Sequence, residues 1–454
     1  MMEYTEFIDA KIHIGQEKGF EPLWIPDFLY DFQKFIVEKS IRMGRFAEFA
    51  DTGLGKTPMQ LVFGQNVVEK TNGNVLLLTP LAVSHQTLQE AEKFGIEAAR
   101  SRTGKVTSKI TVTNYQQLEK FDPADFIGLI CDESSAIKAA TGQTRLNVTR
   151  FAAKMKYRLF CTATPSPNDF VELGTTSEAL GELQYMEMLD QFFRDTSNDK
   201  NPQWSTPKYE LKGHAVDKFW RWVSTWAMAI KKPSDIGFDD ERFILPPLVE
   251  KEHCLKVTTP ADGMLFVEPA RTLKEQRAER KKTLIDRAEK ARDLCAGHDL
   301  SVVWAHYNYE TDYLEKIIPG SINIQGSDSD DAKEEKFIAF SKGQVKTLII
   351  KPKIGCWGLN WQHCNHTVFF PSHSYEQFYQ GVRRFYRFGQ TRPVYVDIVT
   401  TDGEQAVTEN IKRKANDMER MFQMLVKYMN DPHLAKKTEK LNKKVQIPNW
   451  LCQK

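Results

Sequence analysis

The chain lacks most features that mark secreted, membrane-bound or coat-like proteins. No apolar run approaches the roughly 20 residues needed to cross a bilayer. The opening MMEYTEFIDA is acidic and has no continuous apolar stretch, so no secretory signal is expected. Cysteine is sparse: there are seven, at 131, 161, 254, 295, 356, 364 and 452. An odd number without paired spacing excludes a disulfide framework and points to reduced thiols in a cytoplasmic protein. His363, Cys364 and His366 come nearest to a metal motif. Their spacing fits no familiar zinc pattern and no second half-site lies nearby, so a structural role is the simpler reading. Excess charge is also lacking, with 62 basic against 60 acidic residues and a formal net charge of +2. That balance excludes a globally basic DNA coat and leaves local basic stripes open. Short-period repeats and low-complexity blocks are absent as well.

What is present is an ordinary globular composition, 41% hydrophobic and 27% charged, over 454 residues. At roughly 150 residues per domain, that length suggests two or three domains. Short apolar runs at Arg45–Ala50, Val75–Leu78, Ile110–Thr113, Ile127–Cys131 and Arg158–Cys161 alternate with amphipathic stretches. The rhythm returns at Ser301–Ala305, Ile322–Ile324, Lys346–Ile350, Thr367–Phe370 and Val394–Val399. Such alternation predicts two α/β units, each a parallel sheet covered on both faces. Between them, roughly 174–248 is aromatic and irregular, with Phe192, Phe193, Trp204, Phe219, Trp220, Trp222 and Trp226. A charge-dense helical stretch follows at 265–295, with Leu284, Ala288, Ala291 and Leu294 at helical spacing and Gly297 as a stop. Its Lys and Arg residues read as a solvated face, with DNA contact the alternative. Thr401–Glu404 reads as a capping box opening a last helix, on which Ile411, Met418, Phe422 and Leu425 share a face. The tail lysines 436, 437, 440, 443 and 444 are a solubilising end or a phosphate-seeking one.

Two local patterns carry chemistry. Ala50-Asp51-Thr52-Gly53-Leu54-Gly55-Lys56-Thr57 follows an apolar strand directly. A glycine-containing loop at a helix N-terminus turns backbone N–H groups toward phosphate oxygens. Lys56 then reaches the β- and γ-phosphates of ATP, and the Thr57 hydroxyl binds Mg²⁺. Pro58 is tolerated because the first helical turn has no intrahelical use for its N–H. The second pattern is an apolar strand ending in Asp132-Glu133, about 75 residues further on, which is the usual order of parts. Asp132 is placed to hold Mg²⁺ through water, and Glu133 to polarise the water attacking the γ-phosphate.

In that context the chain resembles the SNF2 group of superfamily 2, the DEAD/DEAH-box-like helicases and translocases. Leu29-Tyr30-Asp31-Phe32-Gln33 looks like the adenine-reading Q motif. Leu77-Leu78-Thr79-Pro80 resembles motif Ia, and Val112-Thr113-Asn114-Tyr115 resembles motif Ib. Asp132-Glu133-Ser134-Ser135 stands where a DEAH-type box is usual and departs from it at the last two positions. Cys161-Thr162-Ala163-Thr164-Pro165 is similar to motif III, which couples the ATP site to nucleic acid. Gly355 to Asn360 looks like motif V, with Gly358 beside the nucleotide. Gln380-Gly381-Val382-Arg383-Arg384-Phe385-Tyr386-Arg387-Phe388-Gly389-Gln390 is similar to SNF2 motif VI, with Arg383 replacing a usual acid. The aromatic segments near Trp204, Lys212, Trp220 and Lys232 look like an insert of SNF2-like proteins from tailed bacteriophages.

The resemblance implies a P-loop NTPase with two RecA-like lobes and a mainly helical insert. The lobes are expected at 1–175 and 251–400, the insert at 176–250, and a helical extension with a basic tail at 401–454. It implies ATP and Mg²⁺ as cofactors, Glu133, Lys56, Arg384 and Arg387 as catalytic residues, and Gln33, Thr52–Thr57 and Gly358 around the nucleotide. Thr162, Thr164 and Gln380 are then coupling residues, and Thr79, Pro80, Thr113, Asn114 and Lys353 face nucleic acid. The implied activity is DNA-dependent ATP hydrolysis driving translocation on DNA, duplex favoured, in phage replication, recombination or remodelling. Replication or recombination proteins are possible partners, and the setting is the bacterial host cytoplasm if the chain is phage-encoded. The alternatives are a strand-separating helicase on forked DNA and a scaffold whose ATPase is vestigial. Intact Lys56, Asp132, Glu133, Arg384 and Arg387 argue against the last. The aromatic insert reads first as the core of a small subdomain, with base stacking or a duplex wedge as its alternative use.

Overall fold

The computed structural model describes residues 17–81, 83–197, 209–256, 273–355 and 360–429. Fully buried β-branched and leucine-rich runs separated by helices can hide their backbone only inside a parallel sheet, and two such sheets form. The first contains β1 (Arg45–Ala50), β2 (Val75–Thr79), β3 (Ala98–Arg100), β4 (Ile110–Asn114), β5 (Gly128–Asp132), β6 (Tyr157–Cys161) and β9 (Ala227–Ile230). Their order is β3-β4-β2-β5-β6-β1-β9, and every pairing is parallel. The second sheet contains β10 (Leu248–Leu255), β11 (Ser301–Trp304), β12 (Ser321–Ile324), β13 (Thr347–Ile350), β14 (His366–Phe369) and β15 (Val394–Thr401). Its order is β10-β15-β14-β11-β13-β12, again all parallel. A separate antiparallel pair, β7 (Phe193–Asp195) and β8 (Tyr209–Leu211), completes the strands among the described residues.

The span between the lobes is mainly helical, and it also gives each sheet an edge. β9 pairs along β1, the strand that leads into the phosphate loop, and β10 pairs along β15. Its aromatic residues are core. Phe219, Trp220, Trp222 and Trp226, all on the helix Val216–Trp226, are buried in one cluster with Phe192 and Phe193. Edge-on contacts such as Phe170–Trp220 and Phe49–Trp226 join that cluster to the first lobe. Trp204 lies outside the described residues, as do the tail lysines.

The last described helix, Gln405–Met429, leaves the second sheet and returns to the first lobe. Ile411, Met418, Met421, Phe422 and Leu425 enter the same core as Trp220 and Trp226. The expected capping box does not form. β15 runs through Thr401, a short 3₁₀ turn spans Asp402–Glu404, and Glu404 instead pairs with Arg280 Nε at 2.7 Å. Of the three residues suspected of a metal site, His366 and Cys364 are held by protein partners. His366 is buried, with its ring nitrogens 2.7 Å from Ser301 Oγ and 3.0 Å from Asp397, and the Cys364 thiol donates to backbone carbonyls. Among the described residues, no helix is long and apolar enough to cross a membrane.

Candidate active site

The phosphate loop is shaped by its glycines. Gly53 and Gly55 take φ of +88° and +78°, a region that side-chain-bearing residues rarely occupy. The helix Lys56–Thr71 starts immediately, so its unsatisfied N–H groups face the cleft at its N-terminus. Thr52, Gly53, Gly55, Lys56 and Thr57 line one wall of that cleft. Lys56 Nζ donates to the carbonyls of Ala50 at 2.9 Å and Asp51 at 3.3 Å. Burial lowers its pKa, while Glu133 and Asp132 pull the other way.

β5 delivers the acids at its carboxyl end. Asp132 accepts a 2.8 Å hydrogen bond from Gln60 Nε2 on the phosphate-loop helix, and its carbonyl accepts from the Tyr115 hydroxyl at 2.7 Å. Glu133 has φ +51°, one of two described non-glycine residues with positive φ. A glutamate there stores roughly 1–3 kcal/mol of strain, which surrounding contacts must hold in place. One such contact is Thr162 Oγ1, which donates to Glu133 Oε2 at 3.1 Å and itself accepts the Thr164 N–H at 3.0 Å. Burial raises the pKa of both carboxyls above the ordinary range, with Lys56 and Arg384 opposing it.

The facing wall comes from the second lobe. The helix Tyr375–Val382 and the turn after it bring Arg383, Arg384 and Arg387 to the cleft. Arg384 Nε donates to the Gln380 carbonyl at 3.2 Å. Burial and the neighbouring Arg384 lower the Arg387 pKa to about 10. Thr52 Oγ1, Arg387 Nε and both amide atoms of Gln380 are buried without a hydrogen-bond partner. Of these, the Thr52 hydroxyl and Arg387 Nε line the cleft beside a lysine and a helix N-terminus, opposite two carboxylates, and fit a polyphosphate with its divalent cation.

Other expected residues sit differently. Gln33 is turned against the phosphate loop. Its Nε2 donates to Leu54 O at 2.8 Å and its Oε1 accepts the Tyr30 N–H at 3.0 Å. Thr79, Thr113 and Asn114 are buried at strand ends, and Asn114 Oδ1 caps a turn by accepting the Gln117 N–H at 3.2 Å. Pro80 is half-buried and Lys353 is exposed. Gly358 lies outside the described residues. Sequence reasoning missed Gln60, although it stands four residues after Lys56 and hence on the same helix face. It also missed Gln86 and Glu90, which reach the cleft from the helix Ser84–Lys93.

No protein-family model matches the chain, and no curated protein matches it. Solved structures do. The Sulfolobus solfataricus SWI2/SNF2 ATPase core in complex with dsDNA is 17% identical at a TM-score of 0.42, covering 84% of this chain and 90% of that one. The Mycobacterium smegmatis helicase Lhr bound to ssDNA and AMP-PNP is 13% identical at 0.48, over 86% of this chain and 48% of that one. Saccharomyces cerevisiae Dbp5 bound to Gle1 and IP6 is 10% identical at 0.50, over 88% and 92%. The last likeness shows the fold, which is that of tandem RecA-like lobes.

Proposed function

We propose that the chain is a nucleic-acid-stimulated ATPase that couples hydrolysis to translocation on DNA, with duplex the favoured track. One observation carries this reading: Lys56, Asp132 and Glu133 from one lobe and Arg384 and Arg387 from the other line a single cleft. Thr57 and Asp132 would hold the Mg²⁺ that accompanies ATP, which when bound neutralises phosphate charge. Glu133 accepts the proton of the attacking water, and the arginines stabilise charge that develops on the γ-phosphoryl. Because those arginines belong to the second lobe, hydrolysis requires both lobes to meet on the nucleotide. Repeated approach of the lobes then moves the protein along a strand.

Stepping needs phosphate contacts alone, and these place no demand that bases be unpaired. Strand separation requires a wedge as well. Trp220 and Trp222, the described candidates, are 1% and 4% exposed, which supports tracking over unwinding. ATP turnover measured side by side with no nucleic acid, single strand, duplex, fork and RNA tests the reading. Duplex DNA is expected to stimulate hydrolysis most. Equal turnover in all five mixtures rejects it.

A further inference from the structure

Asp51 is the sole acid of the phosphate loop, and the other lobe uses its carboxylate. Oδ1 accepts the Thr52 N–H at 2.6 Å, the Arg383 Nε–H at 3.2 Å and the Tyr379 hydroxyl. Oδ2 accepts from a second Arg383 nitrogen, and the third donates to the Tyr386 carbonyl at 3.0 Å. Every nitrogen of this guanidinium is therefore committed to protein. Arg383 borders the cleft, and these contacts fix the plane of its guanidinium against Asp51. The two side chains are 10% and 7% exposed, so the pair is desolvated and bidentate, the geometry in which an ion pair fixes orientation best.

Two further contacts hold the same segment of the second lobe. Lys138, just beyond the acidic pair, binds Glu376 in the first turn of the helix that carries Tyr379. At the segment's far end, a β-carbon added to Gly53 would stand 2.8 Å from the Phe388 backbone nitrogen. A side chain at Gly53 would thus push the lobes apart.

We propose that Asp51 and Arg383 form a docking pair that sets the angle of the arginine-bearing segment over the phosphate loop, so that Arg384 and Arg387 point into the cleft. Both are positioning residues for hydrolysis, and the proposal rests on reading that cleft as an ATP site. Their charges are interdependent. An acid at 383, as in the resembling motif, would face Asp51 with like charge.

The test is a double-mutant cycle on the full chain with Asp51→Asn, Arg383→Gln and both together. Readouts are DNA-stimulated kcat, affinity for a fluorescent ADP analogue, thermal unfolding and solution scattering. Each single variant is expected to lose at least about tenfold in kcat with analogue affinity within about threefold, and the double to be no worse than the poorer single. Arg383→Lys, which keeps charge but not the two-nitrogen bridge, is expected to recover only part of the loss. Multiplicative losses in the double variant overturn the pairing, and near-normal kcat in either single overturns the positioning role. Scattering separates this proposal from the function it rests on. If the wild type hydrolyses no ATP but Asp51→Asn still enlarges the particle, the docking pair stands and the ATPase reading falls. An unchanged particle removes the dock.

Discussion

Thr162→Ala isolates the link between the acidic pair and the segment that follows β6. In the wild type, the Thr164 N–H occupies the Thr162 oxygen, so the hydroxyl hydrogen is directed at Glu133 Oε2, 3.1 Å away. A hydrogen bond to a charged acceptor contributes about 1.5–3 kcal/mol, and its loss predicts a fall in kcat of roughly ten- to a hundredfold. ATP affinity should change little, because no part of Thr162 lines the phosphate wall. The pH dependence sharpens the test. Burial already raises the Glu133 pKa, and the Thr162 hydrogen bond opposes that rise. Without it the carboxyl goes higher still, and only the deprotonated form can accept a proton. The acidic limb of the kcat–pH profile should therefore move to higher pH, so that the deficit is largest at low pH and shrinks as pH increases. Steady-state turnover at saturating DNA and ATP across pH measures this, with Thr162→Ser expected to restore the profile. A variant within twofold of wild type, or a uniform loss with an unmoved limb, would refute the reasoning.

Other substitutions separate the remaining roles. Glu133→Gln should keep nucleotide binding while kcat falls about 10²- to 10⁴-fold, whereas Lys56→Ala should raise the nucleotide Kd at least about tenfold; near-normal turnover in both would discard the site. Gln60→Leu removes a hydrogen bond from Asp132 and should raise the Mg²⁺ concentration for half-maximal turnover about tenfold, and an unshifted Mg²⁺ titration counts against it. Trp220→Ala should cost about 3–5 kcal/mol of stability and lower Tm by several degrees, leaving DNA affinity of the folded protein intact. Lost DNA affinity with an unchanged Tm would make this tryptophan a contact residue instead.

Legibility in the sequence followed burial. Ten strands were readable because their residues are apolar on both faces, which no exposed segment sustains. Three strands of the two parallel sheets were not readable, each for its own reason. β3 is three half-buried residues, Ala98–Arg100. β10, with sequence LVEKEHCL, is an edge strand whose charged residues face solvent. β9 follows an aromatic helix without a break at Ala227, so nothing local separates it from the insert. In the cleft, the residues with fixed spacing in a loop or strand end were readable, namely Lys56, Thr57, Asp132, Glu133, Arg384 and Arg387. Residues acting through a partner distant in sequence were not. Asp51 and Arg383 are 332 positions apart, and only the folded chain shows that an acid in one motif answers a base in the other.

The lobes are joined twice, and the second joint restricts how they can move. One connection runs from β9 to β10, and within it Phe243 stacks on Phe388 while meeting Tyr30 and Phe32 edge-on beside the phosphate loop. The other is the return of the helix Gln405–Met429 to the first lobe. Met418, Met421, Phe422, Leu425 and Tyr428 are nearly or fully buried there. At about 1.5–3 kcal/mol for each such side chain, peeling that face away would cost on the order of 10 kcal/mol. So large a cost would leave the helix docked through the lobe movement proposed above, and the helix packs with the first lobe although the chain reaches it from the second. Bending must then fall in the short turn Asp402–Glu404, where Glu404 is already held by Arg280 from the second lobe's side. With one connection held by stacked rings beside Gly53 and the other by the docked helix, the movement proposed for the second lobe is a pivot about two anchored connections. A pivot so constrained favours a small rotation that brings Arg384 and Arg387 toward Lys56 over a wide separation of the lobes.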